Sequence, residues 1–113
     1  MKFLLLHYVD ENAEYDAEVS REGQALLASW LDDTTARGVH VEGHYLRPPR
    51  EAATIRSRDG ELLVADGPFA ETKEQIAGFD IIECADLREA IEVASKHPTT
   101  RHSTIEIRPF WDE

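Results

Sequence analysis

The side chains able to do chemistry in this 113-residue chain fall into four groups. The first is the run Asp66-Gly67-Pro68-Phe69-Ala70-Glu71-Thr72-Lys73-Glu74. Asp66 follows an apolar stretch and precedes a Gly-Pro turn, which puts its carboxylate at a strand end. There it serves as a general base or ligand-orienting acceptor, or it caps the turn on backbone N–H groups. Phe69 either anchors the loop or offers a ring to a ligand. Lys73, beside Glu71 and Glu74, has an ammonium suited to an enolate or a carboxylate, or else is a solvated neighbour of first-turn acids. The second group is His40, Glu42 and His44, which share one face of a strand if the strand is regular. Two imidazoles and a carboxylate are a metal or proton-transfer set. Same-face neighbours lie roughly 7 Å apart, awkward for one ion, so no metal is expected and His44 stands alone as an acid/base candidate. The third is His7, between Leu6 and Tyr8: a hydrogen-bonded core residue, or an acid/base group if it faces a cavity. The fourth is an arginine island, Arg47, Arg50, Arg56 and Arg58, in an otherwise acidic chain. Arg56 is its best holder of a carboxylate, while hairpin arginines also serve solubility.

The elements that must position these groups follow from periodicity. Residues 2–9 form a compact β-rich apolar run, read as a buried strand. Five carboxylates over 10–18 lead into a helix over about 16–37, with Val19, Leu26, Leu27, Trp30 and Leu31 as its stripe and Gly38 as its stop. Residues 39–46 alternate as a second strand, and Pro48-Pro49 ends it. Strands over 53–57 and 61–65 flank Asp59-Gly60, a strong hairpin signal. The polar stretch 70–75 reads as one helical turn, and 76–84 as a strand. Asp86 and Glu89 form a capping box for a helix with a stripe of Leu87, Ala90, Ile91 and Ala94. His97-Pro98 closes that helix, and His102 falls in a loop. A last strand covers 104–110. The order is β-α-β, hairpin, β-α-β, an α+β ferredoxin-like split βαβ with an inserted hairpin in one domain, 1–113. Both helices lie on one sheet face; Leu4 and Leu6, of opposite parity to Phe3 and Leu5, make the other face apolar too. A second copy, giving a homodimer, is the simplest cover.

The run from Asp66 to Glu74, with Gly78-Phe79, residues 86–98, Ala53-Thr54-Ile55-Arg56 and Ile107-Arg108-Pro109, resembles the DGPF branch of the YCII-related family. The resemblance spans nearly the whole chain. It implies a ferredoxin-like domain that dimerises into an α/β barrel. Most members of the branch have no assigned reaction, and some are encoded beside or fused to extracytoplasmic-function sigma factors. It also implies a His–Asp acid/base pair of the kind attributed to related proteins, one of which removes chloride from a chlorinated hydroquinone-type ring. The family pattern puts that His on the first helix, and residues 18–37 contain none. His7 is the replacement if it faces a cavity.

Composition limits the function further. Twelve Lys+Arg against 23 Asp+Glu give a net charge of −11, a surface that repels phosphate backbones and anionic lipid. Nucleic acid and membrane are therefore not expected partners. Cys84, the single cysteine, has no disulfide mate and reads as a buried, inert thiol. No secretion signal or membrane span is evident, so a cytoplasmic protein is expected. No nucleophile elbow, P-loop, dinucleotide fingerprint or paired-cysteine site occurs, and no cofactor is expected. The expectation is a dimer binding a small polar or anionic organic molecule. Its chemistry would be metal-free acid/base elimination or isomerisation, a lyase or isomerase activity. His7, His44 and Asp66 are the acid/base candidates, and Arg56, Phe69, Glu71 and Lys73 the binding residues. The alternative is a non-catalytic ligand-binding or interaction module, linked to sigma-factor regulation.

Overall fold

The computed structural model describes residues 1–15 and 17–112. In chain order the elements are β1 (Lys2–Val9), α1 (Ala17–Ala36), β2 (His40–Tyr45), β3 (Ala53–Arg58), β4 (Glu61–Asp66), β5 (Gln75–Glu83), α2 (Leu87–Ser95) and β6 (Thr104–Pro109). Short 3₁₀ turns at Pro49–Glu51 and Pro98–Arg101 join them. The expected helix start at Asp16 lies outside the described residues. β2, β5, β1 and β6 pair in that order into one antiparallel sheet, while β3 and β4 form a separate two-stranded ribbon. That strand order, read over the four sheet strands, is that of the ferredoxin-like α+β fold. No helix among the described residues is long and apolar enough to cross a membrane.

Alternation along β1 decides which face is the core. Phe3, Leu5 and His7 are buried, whereas Leu4, Leu6 and Tyr8 are half-buried on the open face. Phe3 and Leu5 meet Ile82 of β5, Trp30 of α1, and Ala90, Val93 and Ala94 of α2, with Ile105 and Ile107 of β6 packed alongside. Cys84 is buried in this cluster, and burial pushes its thiol up to about 11. The thiol stays protonated and inert.

Local chemistry explains the element ends. Gly38 takes a left-handed φ of 70°, and Val39 N–H donates to Thr34 O, closing α1. Asp59 and Gly60 both have positive φ, the turn that suits the twist of a two-residue hairpin. Asp86 caps α2 by accepting from Glu89 N–H at 2.9 Å, and Glu89 reaches back to Ala85 N–H.

Three expectations are corrected. Residues 70–74 contain no helical turn: Gln75 Nε2 donates to Ala70 O and Thr72 O, so side-chain bonds to carbonyls hold an irregular loop. The buried face of α2 is Ala90, Val93 and Ala94, with Leu87 and Ile91 half-exposed. The helix is rolled so that Val93 meets Trp30, whose indole N–H donates to Val93 O. Finally, His40, Glu42 and His44 do not share a face. An irregularity between His40 and Glu42 adds one residue to β2, so His40 pairs with Ile82 and Glu42 with Ile81. One inserted residue turns the following side chains over. His40 faces the helices; Glu42 and His44 face the open side.

Candidate functional site

Asp80 is the centre of the most unusual chemistry in the molecule. It sits on β5 within the apolar stretch Phe79-Asp80-Ile81-Ile82, on the core face, directly opposite Gly43 of β2. The missing side chain at Gly43 makes room for it, since a Cβ there would lie 2.0 Å from Asp80 Oδ1. His7 of β1 reaches Asp80 Oδ2 at 2.8 Å, and His40 of β2 reaches Oδ1 at 2.7 Å. Three adjacent strands thus bring an imidazole, a carboxylate and an imidazole into one line. His97, at the entry to the Pro98–Arg101 turn, completes the group with its Nε2 3.8 Å from Asp80 Oδ2.

Burial makes the protonation states readable. His7, Asp80 and His97 are only 7%, 8% and 7% exposed. Burial by itself pushes the Asp80 carboxyl up, but the hydrogen bonds from His7 and His40 outweigh it, and the carboxyl ends below its ordinary range. Asp80 is therefore a carboxylate and can only accept, so His7 and His40 both donate through Nε2–H. His7 Nδ1 is the one buried side-chain polar atom left without a partner among the described residues. Among the described residues His40 Nδ1 also lacks a hydrogen bond, but it is not sealed from solvent.

Thr99 N–H donates to His97 Nδ1 at 3.1 Å, which leaves the proton of a neutral His97 on Nε2. Burial, and after it the neighbouring His7 imidazole, push His97 down to about 4, although Asp80 opposes them. The imidazole is neutral at physiological pH.

These side chains line the inner end of a cavity of about 820 Å³ between the sheet and the first half of α1. That is within the usual range for small-molecule sites. Its walls are mostly apolar, with Val9, Leu27, Leu31, Tyr45 and Ala77 among them, and no lysine or arginine of the described residues lines it.

His7, Asp80 and His97 offer ligand atoms within 4.8 Å of one another, the spacing of a metal site. Their tautomers suit a metal poorly. A ligating imidazole normally donates its second N–H to a carbonyl or carboxylate. Here the second nitrogen of His97 accepts from Thr99, and that of His7 has no partner.

The residues singled out in the sequence are scattered. His7 is in the cluster. His44 is at the cavity wall, but its exposed imidazole pairs with Glu42 at 2.9 Å on the open side. Asp66 ends β4 on the ribbon, exposed, its carboxylate without a hydrogen bond among the described residues. Gly67, beside it, holds the turn instead: its N–H donates to Ala52 O and its carbonyl accepts from Thr54 Oγ1. Phe69 is 74% exposed with the Arg56 guanidinium 4.8 Å above its ring. Glu71 and Lys73 are exposed in the loop between β4 and β5. None of these five lines the cavity. Arg47 is engaged with Glu51 at 2.9 Å. Asp80, His40 and His97 carry the geometry. A single carboxylate inside the otherwise apolar stretch Ile76–Ile82 was the signal for Asp80.

The family model of the YCII-related domain matches residues 1–113. An uncharacterised protein of Rhizobium meliloti (strain 1021) is 38% identical over 118 residues, covering 97% of this chain and 92% of the relative. On both grounds, the chain belongs to the YCII-related family.

Proposed function

We propose that the protein is a metal-free acid–base catalyst that moves a proton on a small, ring-bearing organic molecule, in an elimination or isomerisation. The observation that carries this reading is the Asp80 carboxylate bracketed by His7 and His40 at the inner end of an apolar cavity. Asp80 fixes the His40 tautomer, with Nε2–H toward the carboxylate and the Nδ1 lone pair free to take a proton. Proton uptake makes an imidazolium next to a carboxylate, which stabilises it. His7 acts on the other oxygen as a positioning residue, because a second proton on its sealed Nδ1 would be a buried donor without an acceptor.

The walls favour a flat apolar body, and the lack of a lining cation favours a neutral substrate over an anionic one. The Arg56 and Lys73 roles are set aside on that ground. We assign the chain to the DGPF branch of the family from the run Asp66–Glu74, which here builds the turn at the ribbon's base. The functional unit proposed is a homodimer, supported by the ribbon's exposed apolar face. The buried carboxylate between two imidazoles supports this reading over a non-catalytic module.

The test uses 5-nitrobenzisoxazole, a neutral ring that opens with a colour change once a base removes one C–H proton. Wild type should open it at a saturable rate above buffer. A positioned base is worth about 10²–10⁴-fold, so His40→Gln and Asp80→Asn should each lose at least about a hundredfold. His7→Gln should lose less. Wild-type rates in folded His40→Gln and Asp80→Asn would sink the reading.

A further inference from the structure

His97 is left over by that mechanism, and its surroundings are too specific for a residue that merely ends a helix. Its backbone is the entry to the Pro98–Arg101 turn, and its Nδ1 accepts the Thr99 N–H, so ring and tautomer are both set by main chain. Its ring lies 4.7 Å from Trp30 at 73°, and 4.3 Å from His7 at 37°. Trp30 is itself pinned by its hydrogen bond to Val93 O on α2. Trp30 of α1 and His7 of β1 therefore flank this imidazole, with Trp30 itself held by α2. The Nε2–H that remains has no acceptor within hydrogen-bonding distance among the described residues. Asp80 Oδ2, the nearest carboxylate oxygen, is 3.8 Å away and already accepts from His7. Nor is this nitrogen among the sealed polar atoms. An unspent donor thus stands at the wall of the cavity.

We propose that His97 Nε2–H is the hydrogen-bond donor for a negative charge developing on a substrate oxygen, and that the substrate class is a cyclic enol, ketone or phenol. This rests on the acid–base reading above and names the second half of its site. When His40 Nδ1 takes a proton from carbon next to a carbonyl, the C–H electron pair becomes a C=C bond. The carbonyl π pair moves onto oxygen. For a phenol, the proton leaves oxygen directly and the charge stays there. In both cases the oxygen becomes an acceptor, and His97 donates a hydrogen bond without losing its proton. A neutral imidazole suits this task because it is too weak an acid to quench the anion. The groups facing His97 are His7 from β1, His40 from β2, Asp80 from β5 and Trp30 from α1. With Asp80 already engaged by two imidazoles, the geometry favours N–H donation to substrate over pairing with the carboxylate.

A purely structural cap would look the same without ligand, so the test adds one. The full chain, with ¹⁵N-labelled histidine, is titrated with a series of para-substituted phenols of graded acidity while the imidazole nitrogens are followed by NMR. His97 should remain a single neutral Nε2–H tautomer between about pH 5 and 8, and its Nε2 signal should move on phenol binding. More acidic phenols, bound as phenolates, should move it further and bind more tightly. His97→Asn keeps an acceptor for Thr99 N–H but shortens the side chain. It should fold, bind phenolates at least about tenfold more weakly, and lose the dependence of affinity on phenol acidity. Phenols that move His7 and His40 but not His97, or unchanged affinity in His97→Asn, would overturn the donor role and leave the proton-transfer reading standing. If no phenol moves any of the three imidazoles, the donor role falls together with the ring-bearing substrate class.

Discussion

At the scale of single residues, the cluster concentrates four ionisable groups where water is scarce, and His97 gives this a measurable consequence. Burial, and then the neighbouring His7 imidazole, hold it down to about 4 against an ordinary value of 6.5. As the pH falls below about 6.5, the unfolded chain takes up a proton that the folded chain refuses until about 4. Folding stability should therefore decline across that window, by at most about 1.4 kcal/mol per pH unit. Asp80 acts in the same direction at lower pH: its contribution is full above the ordinary carboxylate value and is lost as pH falls through its depressed folded value. Urea unfolding midpoints at a constant m-value should drop steadily from neutral pH to about 4.5, and His97→Asn should flatten the slope. A level wild-type profile would contradict a neutral buried His97. Little of this was visible in the sequence. His7 was a candidate because an imidazole in an apolar strand asks for a partner, but the partner is Asp80, 73 positions away. His97 looked like a helix terminator because its chemistry comes from strands it does not adjoin in the chain.

At the scale of elements, the fold was readable because period-2 and period-3.6 patterns, a capping box and an Asp-Gly turn act locally. The site was not, because pairing register makes it. The extra residue between His40 and Glu42 swings His40 to the core face, and nothing in the alternation of residues 39–46 announces it. Register also sets Gly43 opposite Asp80, and this yields a sharp prediction. Gly43→Ala would put a Cβ 2.0 Å from Asp80 Oδ1 and 3.2 Å from His40 Nε2, so the carboxylate must rotate out of its pair. The expected cost is about 1–3 kcal/mol of stability, together with loss of benzisoxazole opening. Gly23→Ala is the control. It lies in α1 by the same cavity with nothing within 4 Å of an added Cβ, and should be neutral or stabilising by about 0.5–1 kcal/mol. Equal effects from the two alanines would mean that the close approach at Gly43 does not matter.

At the scale of the whole molecule, the β3–β4 ribbon determines what the chain needs from outside. Ile55 and Val64 are directly paired, and Leu62 pairs with Ser57 two positions along, so all three aliphatics share one face. They are 66%, 64% and 65% exposed. A lone two-stranded ribbon is marginal in water, and the reach of this one shows in the Cα radius of gyration, 16.3 Å. A compact domain of this length would measure about 13 Å. The open face of the main sheet adds Leu4, Leu6, Phe79 and Ile81, all half-buried. A second copy of the chain would cover both surfaces, and its association has a characteristic salt response. Two chains of net charge −11 repel one another at long range, whereas the surfaces that would meet are apolar. Added salt screens the repulsion and leaves the apolar contact intact. Sedimentation velocity should therefore give twice the chain mass, with the dimer tightening as ionic strength rises. Val64→Asp should shift it toward monomer by placing a carboxylate on the buried face, while Arg58→Ala, at the ribbon tip on its opposite face, should leave it unchanged. A dimer that loosens with salt would place the contact on charged surface instead, and a wild-type monomer at every salt concentration would leave the ribbon's apolar face without the cover assigned to it.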